Sequence, residues 1–251
     1  MLVMGILNVT PDSFADGGRH NDFDAAISRG LEMIAEDVDI IDIGGESTRP
    51  GADRVSEEEE ITRTIPVITE LAKHGATISI DTMRASTAEA AIYAGASIIN
   101  DVSGGIADVA MLQTAARLKV PYIAMHWRGH SKDMNSKAVY GDVVTDVISE
   151  LNERIEAALD AGIDKDKLII DPGIGFAKDA EHNWAIIDSI DRFVAMGYPV
   201  LVGASRKRFL GGESPDEREQ ATIELTKRLG ATGIWAVRVH SVKPHKEVLS
   251  S

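Results

Sequence analysis

The chain has 251 residues, with 40 acidic side chains against 26 lysines and arginines and a formal net charge of −14. That balance repels phosphate backbones and anionic headgroups, which excludes a general nucleic-acid or membrane-surface binder. The absence of cysteine removes disulfides, thiolate nucleophiles and cysteine-held zinc, and it is compatible with a cytoplasmic location.

The opening MLVMGILNVT is apolar, lacks a positive flank and is far shorter than a membrane span, so it reads as a strand that begins the fold of an unexported protein. Further aliphatic runs follow at 38–43 (VDIIDI), 77–80 (TISI), 97–100 (SIIN), 121–125 (PYIAM), 168–171 (LIID), 199–203 (PVLVG) and 233–239 (GIWAVRV), making eight. Between them, 24–36, 57–75, 86–95, 108–119, 143–162, 180–197 and 217–230 carry apolar residues at three-to-four spacing and predict helices. Gly75, Gly95, Gly162, Gly197 and Gly230 stand where a helix would stop. Continuous apolar strands alternating with helices imply a parallel sheet buried on both faces. Eight repeats in this length predict an α/β fold, a single-domain (β/α)8 TIM barrel over 1–251. An open doubly wound sheet is the alternative that strand count alone leaves.

Three connections after strands, 9–23, 44–57 and 127–141, are long and polar, and in a barrel they lie on the face where active sites form. The strand ends read Asn8, Asp42, Asp81, Asn100, His126, Asp171, then Ser205 to Arg208, then Arg238 and His240. Any one Asp or Asn at such a place closes a turn or caps a helix as readily as it binds. A barrel gathers all eight ends around one mouth, and that convergence points to a site.

The set divides chemically. Asp81, Asn100 and Asp171 suit a ligand edge rich in N–H donors. Ser205, Arg206, Lys207, Arg238 and His240 follow the seventh and eighth strands, where barrels hold phosphate. One ligand with a donor-rich head and an anionic tail satisfies both halves. Arg238 and His240 alternate along an extended segment, so both point to one side and suit an oxyanion. His126 reads as a hydrogen-bonded structural residue and Arg208 as surface charge. Lys207 stays open between a Schiff-base nucleophile and a cationic donor. Gly173-Ile174-Gly175-Phe176 lacks the third glycine and the acidic partner of a dinucleotide fingerprint, which excludes NAD.

NVTPDSFADGG (8–18), IDIGGESTRPGA (41–52), SIDTMRA (79–85), IINDVSGG (98–105), MHWRG (125–129), DPGIGFAK (171–178), GASRKRFLG (203–211) and RVH (238–240) together resemble the dihydropteroate synthase family, in order through almost the whole chain. The resemblance implies a (β/α)8 barrel, a homodimer, and the joining of 6-hydroxymethyl-7,8-dihydropterin diphosphate to 4-aminobenzoate, giving 7,8-dihydropteroate and diphosphate. By the same resemblance Asp171 accepts the paired donors of the pterin edge, Asp81 and Asn100 complete the ring contacts with Met125 and Gly203, and Lys207 donates to ring acceptors. Asn8 is the implied Mg2+ ligand, and Asn8, Thr48, Arg238 and His240 the implied diphosphate site. Thr48, Arg49, Pro50, Phe176, Ser205, Arg206 and Lys207 are implied for aminobenzoate, which sulfonamides mimic. Catalysis is implied to be SN1-like and carried by Asp81, Lys207, Arg238 and His240.

A non-catalytic pterin-binding paralogue and a methyltetrahydrofolate-dependent methyltransferase are the alternatives. Two departures stand out: Ser241 where the family continues with Asp, and a short C-terminal helix carrying Pro244. Both are expected to loosen barrel closure or the diphosphate corner.

Overall fold

The computed structural model of the chain describes residues 1–10, 19–46, 54–130 and 134–250. The aliphatic runs form strands β1 (Leu2–Asn8), β2 (Ile40–Gly44), β3 (Ile78–Asp81), β4 (Ile98–Asp101), β5 (Tyr122–Met125), β6 (Leu168–Asp171), β7 (Leu201–Val202) and β8 (Ala236–Val239). All pair in parallel in the order β6-β5-β4-β3-β2-β1-β8-β7. A single parallel bridge between Ile170 and Val200 links the two outer strands and closes the ring.

Around the ring run α1 (Arg19–Ala35), α2 (Glu57–Ala72), α3 (Ala85–Ala94), α4 (Met111–Leu118), α5 (Val143–Asp160), α6 (Ala180–Asp188), α7 (Ile190–Val194), α8 (Glu217–Leu229) and α9 (Lys243–Leu249). Their starts are chemically specified. Ser56 caps α2, accepting from the Glu59 N–H at 3.2 Å, and four glutamates in the first turn complement the positive helix end. Asp142 and Asp179 cap α5 and α6 in the same way.

The helix expected over 180–197 is two helices. Ser189 leaves the helical region at φ −112°, ψ 25°, and the break turns Ile190 and Phe193 into the core. Gly230 also differs from expectation: it stays right-handed, and a Cβ there would meet Leu249 at 3.2 Å, so its smallness admits α9. No helix among the described residues is long and apolar enough to cross a membrane.

The twofold period of the strands separates two cores. Val3, Ile41, Ile43, Ile78 and Ile80 face outward against the helices. Met4, Ile40, Ile98, Ile123, Ile169, Leu201 and Ala236 fill the barrel interior as an apolar floor. Two residues further along, on the same inward face, stand Asp42, Asn100, Met125, Asp171, Gly203 and Arg238. Apart from Ser79 on β3, polar side chains therefore begin one layer above an apolar floor, at the C-terminal mouth of the barrel.

Candidate active site

Arg238 turns from β8 into the barrel, where its Nε donates to Asp42 Oδ2 at 2.6 Å and a terminal nitrogen donates to Asp81 Oδ2 at 2.7 Å. Asn100 Nδ2 donates to the same Asp42 oxygen at 2.9 Å. Strands β2, β3, β4 and β8 thus deliver four side chains into one network. Burial alone would lower the Arg238 guanidinium, but Asp42 and Asp81 outweigh it and hold it above its usual value. Asp81 is raised by burial, with Arg238 pulling the other way. Asp42 was visible in the sequence only as one of eight polar strand ends. The structure makes it the shared acceptor that orients both Arg238 and Asn100.

On the opposite wall Asp171 is buried, and its Oδ1 accepts from the Gly173 N–H at 2.7 Å. Burial raises its carboxyl, opposed by that N–H and by Lys207. Lys207 donates to the Ile174 carbonyl, and its Nζ stands 4.6 Å from the Phe176 ring centre. Burial lowers Lys207 to about 8, with Asp171 opposing, so the side chain is a cationic donor at neutral pH. Met125 lies opposite Asp171 in register and is buried. A Cβ at Gly203 would lie 3.8 Å from the Arg238 Cβ and 3.9 Å from Asp171 Oδ2. The missing side chain leaves bare backbone between the Asp171 carboxylate and the stem of Arg238.

Beyond Gly203, Ser205 Oγ and His240 Nδ1 are 2.9 Å apart, and the His240 backbone N–H donates to the same hydroxyl at 3.2 Å. Arg238 and His240 therefore have different protein partners, the first toward the barrel axis and the second toward Ser205. Arg206 adopts φ 57° and directs its guanidinium to Glu219 Oε2 at 2.6 Å and Ser241 Oγ at 2.9 Å. That placement departs from the expected aminobenzoate contact: the guanidinium is paired behind the mouth, and Arg206 supports the corner. Ser241 is the acceptor in that support. The C-terminal helix is also well tied, His245 meeting Thr226 at 2.8 Å and Lys246 meeting Asp39 at 3.1 Å, so the expected loosening is not found. Arg208 is exposed, as the sequence suggested. Thr48, Arg49 and Pro50 lie outside the described residues.

Two groups were missed. Arg84 donates to Glu46 at 3.0 Å, to the Val55 carbonyl at 2.5 Å and to buried Glu60, while Arg54 donates to Glu46 at 3.0 Å. The two described ends of the 44–57 connection are thereby clamped to α2 and to the start of α3. Lys178, one residue past the phenylalanine and alanine of DPGIGFA, folds back under its own turn to reach His126, Gly173 and Phe176.

Among the described residues no three His, Asp or Glu side chains gather as a ready metal cage. A hard cation that takes one amide oxygen and draws its remaining ligands from water and a diphosphate fits this donor set. Half-buried Asn8 at the end of β1 is the amide available.

The fold and mouth define a (β/α)8 barrel whose C-terminal end gathers buried carboxylates, an amide and cationic side chains. The sequence profile of the pterin binding enzyme family matches residues 4–240, and the chain belongs to that family. A dihydropteroate synthase of Mycobacterium leprae is 48% identical over 257 residues, covering 98% of this chain and 90% of the relative. A Xanthomonas albilineans dihydropteroate synthase solved with 4-aminobenzoic acid superposes with a TM-score of 0.94 at 42% identity, covering 99% of this chain and 90% of that one. The same enzyme in complex with 7,8-dihydropteroate gives a TM-score of 0.90 at 39% identity over 99% of this chain and 91% of that one. Within the family the chain falls among the dihydropteroate synthases.

Proposed function

We propose that the chain joins 6-hydroxymethyl-7,8-dihydropterin diphosphate to 4-aminobenzoate, releasing 7,8-dihydropteroate and diphosphate. The observation that carries this reading is the buried Asp171 carboxylate standing across the side-chain-free Gly203 from Arg238. A buried carboxylate at the mouth accepts the paired amino and ring N–H donors of a pterin. Asn100, already oriented by Asp42, completes the edge, and Lys207 donates to the acceptors of the ring.

The reaction breaks the bond between the exocyclic methylene carbon and the diphosphate oxygen, then forms a bond from that carbon to the arylamine nitrogen, which loses a proton. Arg238 and His240 hold the charge that develops on the departing diphosphate. Asp81, 2.7 Å from Arg238, faces the cation left on the methylene, giving an SN1-like course. Mg2+, held through the Asn8 amide oxygen and the diphosphate, would supply charge neutralisation on the leaving group. Phe176 and Ser205 form the aminobenzoate side of the mouth, where sulfonamides compete; Thr48, Arg49 and Pro50, outside the described residues, are the further aminobenzoate contacts that the family resemblance implies. A dimer is part of the same proposal, and light scattering giving twice the chain mass would support it. The activity itself is tested by aminobenzoate-dependent diphosphate release.

A further inference from the structure

The 127–141 connection is as long as those given to substrate, yet its contacts point elsewhere. Lys178 is 8% exposed, and its ammonium has three partners for three hydrogens: His126 Nδ1 at 2.9 Å and the carbonyls of Gly173 and Phe176, each at 3.0 Å. His126 is 1% exposed, and its other ring nitrogen meets Glu150 Oε2 at 2.9 Å. Since Nδ1 accepts from Lys178, Nε2 carries the proton and donates to Glu150. Glu150 is also paired with Arg128, whose guanidinium lies 3.8 Å from the Tyr140 ring centre and donates to the Val139 carbonyl at 2.7 Å. Tyr140 completes the wall by donating its hydroxyl to the Ala177 carbonyl at 2.9 Å.

The turn these groups hold is under backbone constraint. Gly173 sits at φ 69° and Ala177, which is not glycine, at φ 47°. A Cβ at Gly173 would come within 2.4 Å of the His126 carbonyl oxygen, so the turn is pressed against the end of β5. Its carbonyls are held by side chains in sequence: Gly173 and Phe176 by Lys178, Ile174 by Lys207, Ala177 by Tyr140. The same turn supplies the Gly173 N–H that fixes Asp171 and the Phe176 ring beside Lys207.

We infer that Lys178 and Tyr140 are positioning residues of the pterin site, suspending the 172–177 turn from the wall formed by His126, Arg128 and Glu150 so that Asp171 and Phe176 meet the substrate in one arrangement. This rests on the mouth being a pterin site. Neither side chain touches substrate; each acts through the turn.

The test is calorimetric binding of 6-hydroxymethyl-7,8-dihydropterin diphosphate to the full chain, with steady-state kinetics, for wild type, Tyr140→Phe and Lys178→Met, well below each unfolding midpoint. Tyr140→Phe removes one hydrogen bond at a partly exposed ring, so it is expected to fold normally and weaken pterin binding about fivefold, with kcat changed less than KM. Lys178→Met leaves His126 Nδ1 and the Phe176 carbonyl without their Lys178 donor, while the Gly173 carbonyl keeps the Phe176 N–H at 3.1 Å, and is expected to weaken binding by about a hundredfold. If Lys178→Met does not fold, Tyr140→Phe decides. Variants that lose thermal stability but bind pterin diphosphate as tightly as wild type overturn the inference. Failure of wild type to bind pterin diphosphate overturns instead the functional reading beneath it.

Discussion

Asp42→Asn tests the network at the barrel axis most sharply, because it changes charge with almost no change in volume. Asp42 is fully buried, and its Oδ2 accepts from Arg238 at 2.6 Å and from Asn100 at 2.9 Å. Its Oδ1 is buried without a partner among the described residues. The amide can keep its oxygen toward Arg238 and Asn100, but its NH2 then occupies the partnerless position and the ionic half of the Arg238 contact is gone. Removing one partner of a buried ion pair costs about 3–5 kcal/mol. Arg238 keeps Asp81 and retains some solvent at the mouth, which roughly halves that to about 2 kcal/mol, and an unpartnered buried N–H adds about 1 kcal/mol. The sum, about 3 kcal/mol, corresponds to a fall of about 6 °C in Tm for a chain of this length. With Arg238 and Asn100 less constrained, kcat/KM should fall by about tenfold or more. Thermal unfolding of ligand-free protein and initial rates at 25 °C read both effects. A midpoint within a degree of wild type, together with unchanged kcat/KM, would refute the assignment of Asp42 as their common anchor.

Asp171→Ala removes the acceptor for two charge-assisted hydrogen bonds and should weaken pterin binding by about a hundredfold or more by calorimetry; unchanged affinity would refute the role of this carboxylate. Arg238→Ala should lower kcat by about a hundredfold with a smaller loss of pterin affinity, and a wild-type rate would count against leaving-group stabilisation. The pH profile follows from buried Lys178 and half-buried Lys207. Burial, opposed by Asp171 in both cases, lowers Lys178 to about 7 and Lys207 to about 8. Both are cations below these values and neutral above them, so kcat/KM, which reports the free enzyme, should fall as pH rises through 7 to 9. The limb in kcat should lie higher because bound anions favour the charged lysines. A kcat/KM profile flat to pH 10 would contradict both placements.

The barrel was legible because its strands are continuous apolar runs and its strand ends are polar, a pattern that survives without knowledge of any contact. Asp81, Asn100, Asp171, Lys207 and Arg238 were legible for the same reason: each lies at or just beyond the end of its strand, where the fold brings the ends together. What escaped depends on neighbours distant in sequence. Asp42 and Arg238 are 196 residues apart, and only the register of β2, β1 and β8 makes them partners. Arg84 and Glu60 are adjacent only once α2 has packed beside α3. Lys178 sits inside a recognisable motif, but spacing does not reveal that its side chain doubles back beneath the turn. The break at Ser189 was hidden because apolar residues continue at helical spacing through it, and tertiary burial of Ile190 and Phe193 overrides local propensity.

The central claim is a condensation at this mouth, and the most direct measurement is diphosphate release from 6-hydroxymethyl-7,8-dihydropterin diphosphate with Mg2+ present and 4-aminobenzoate added or withheld. Release should depend on aminobenzoate and match 7,8-dihydropteroate formed mole for mole. Folded protein that binds the pterin diphosphate but yields neither product would contradict it.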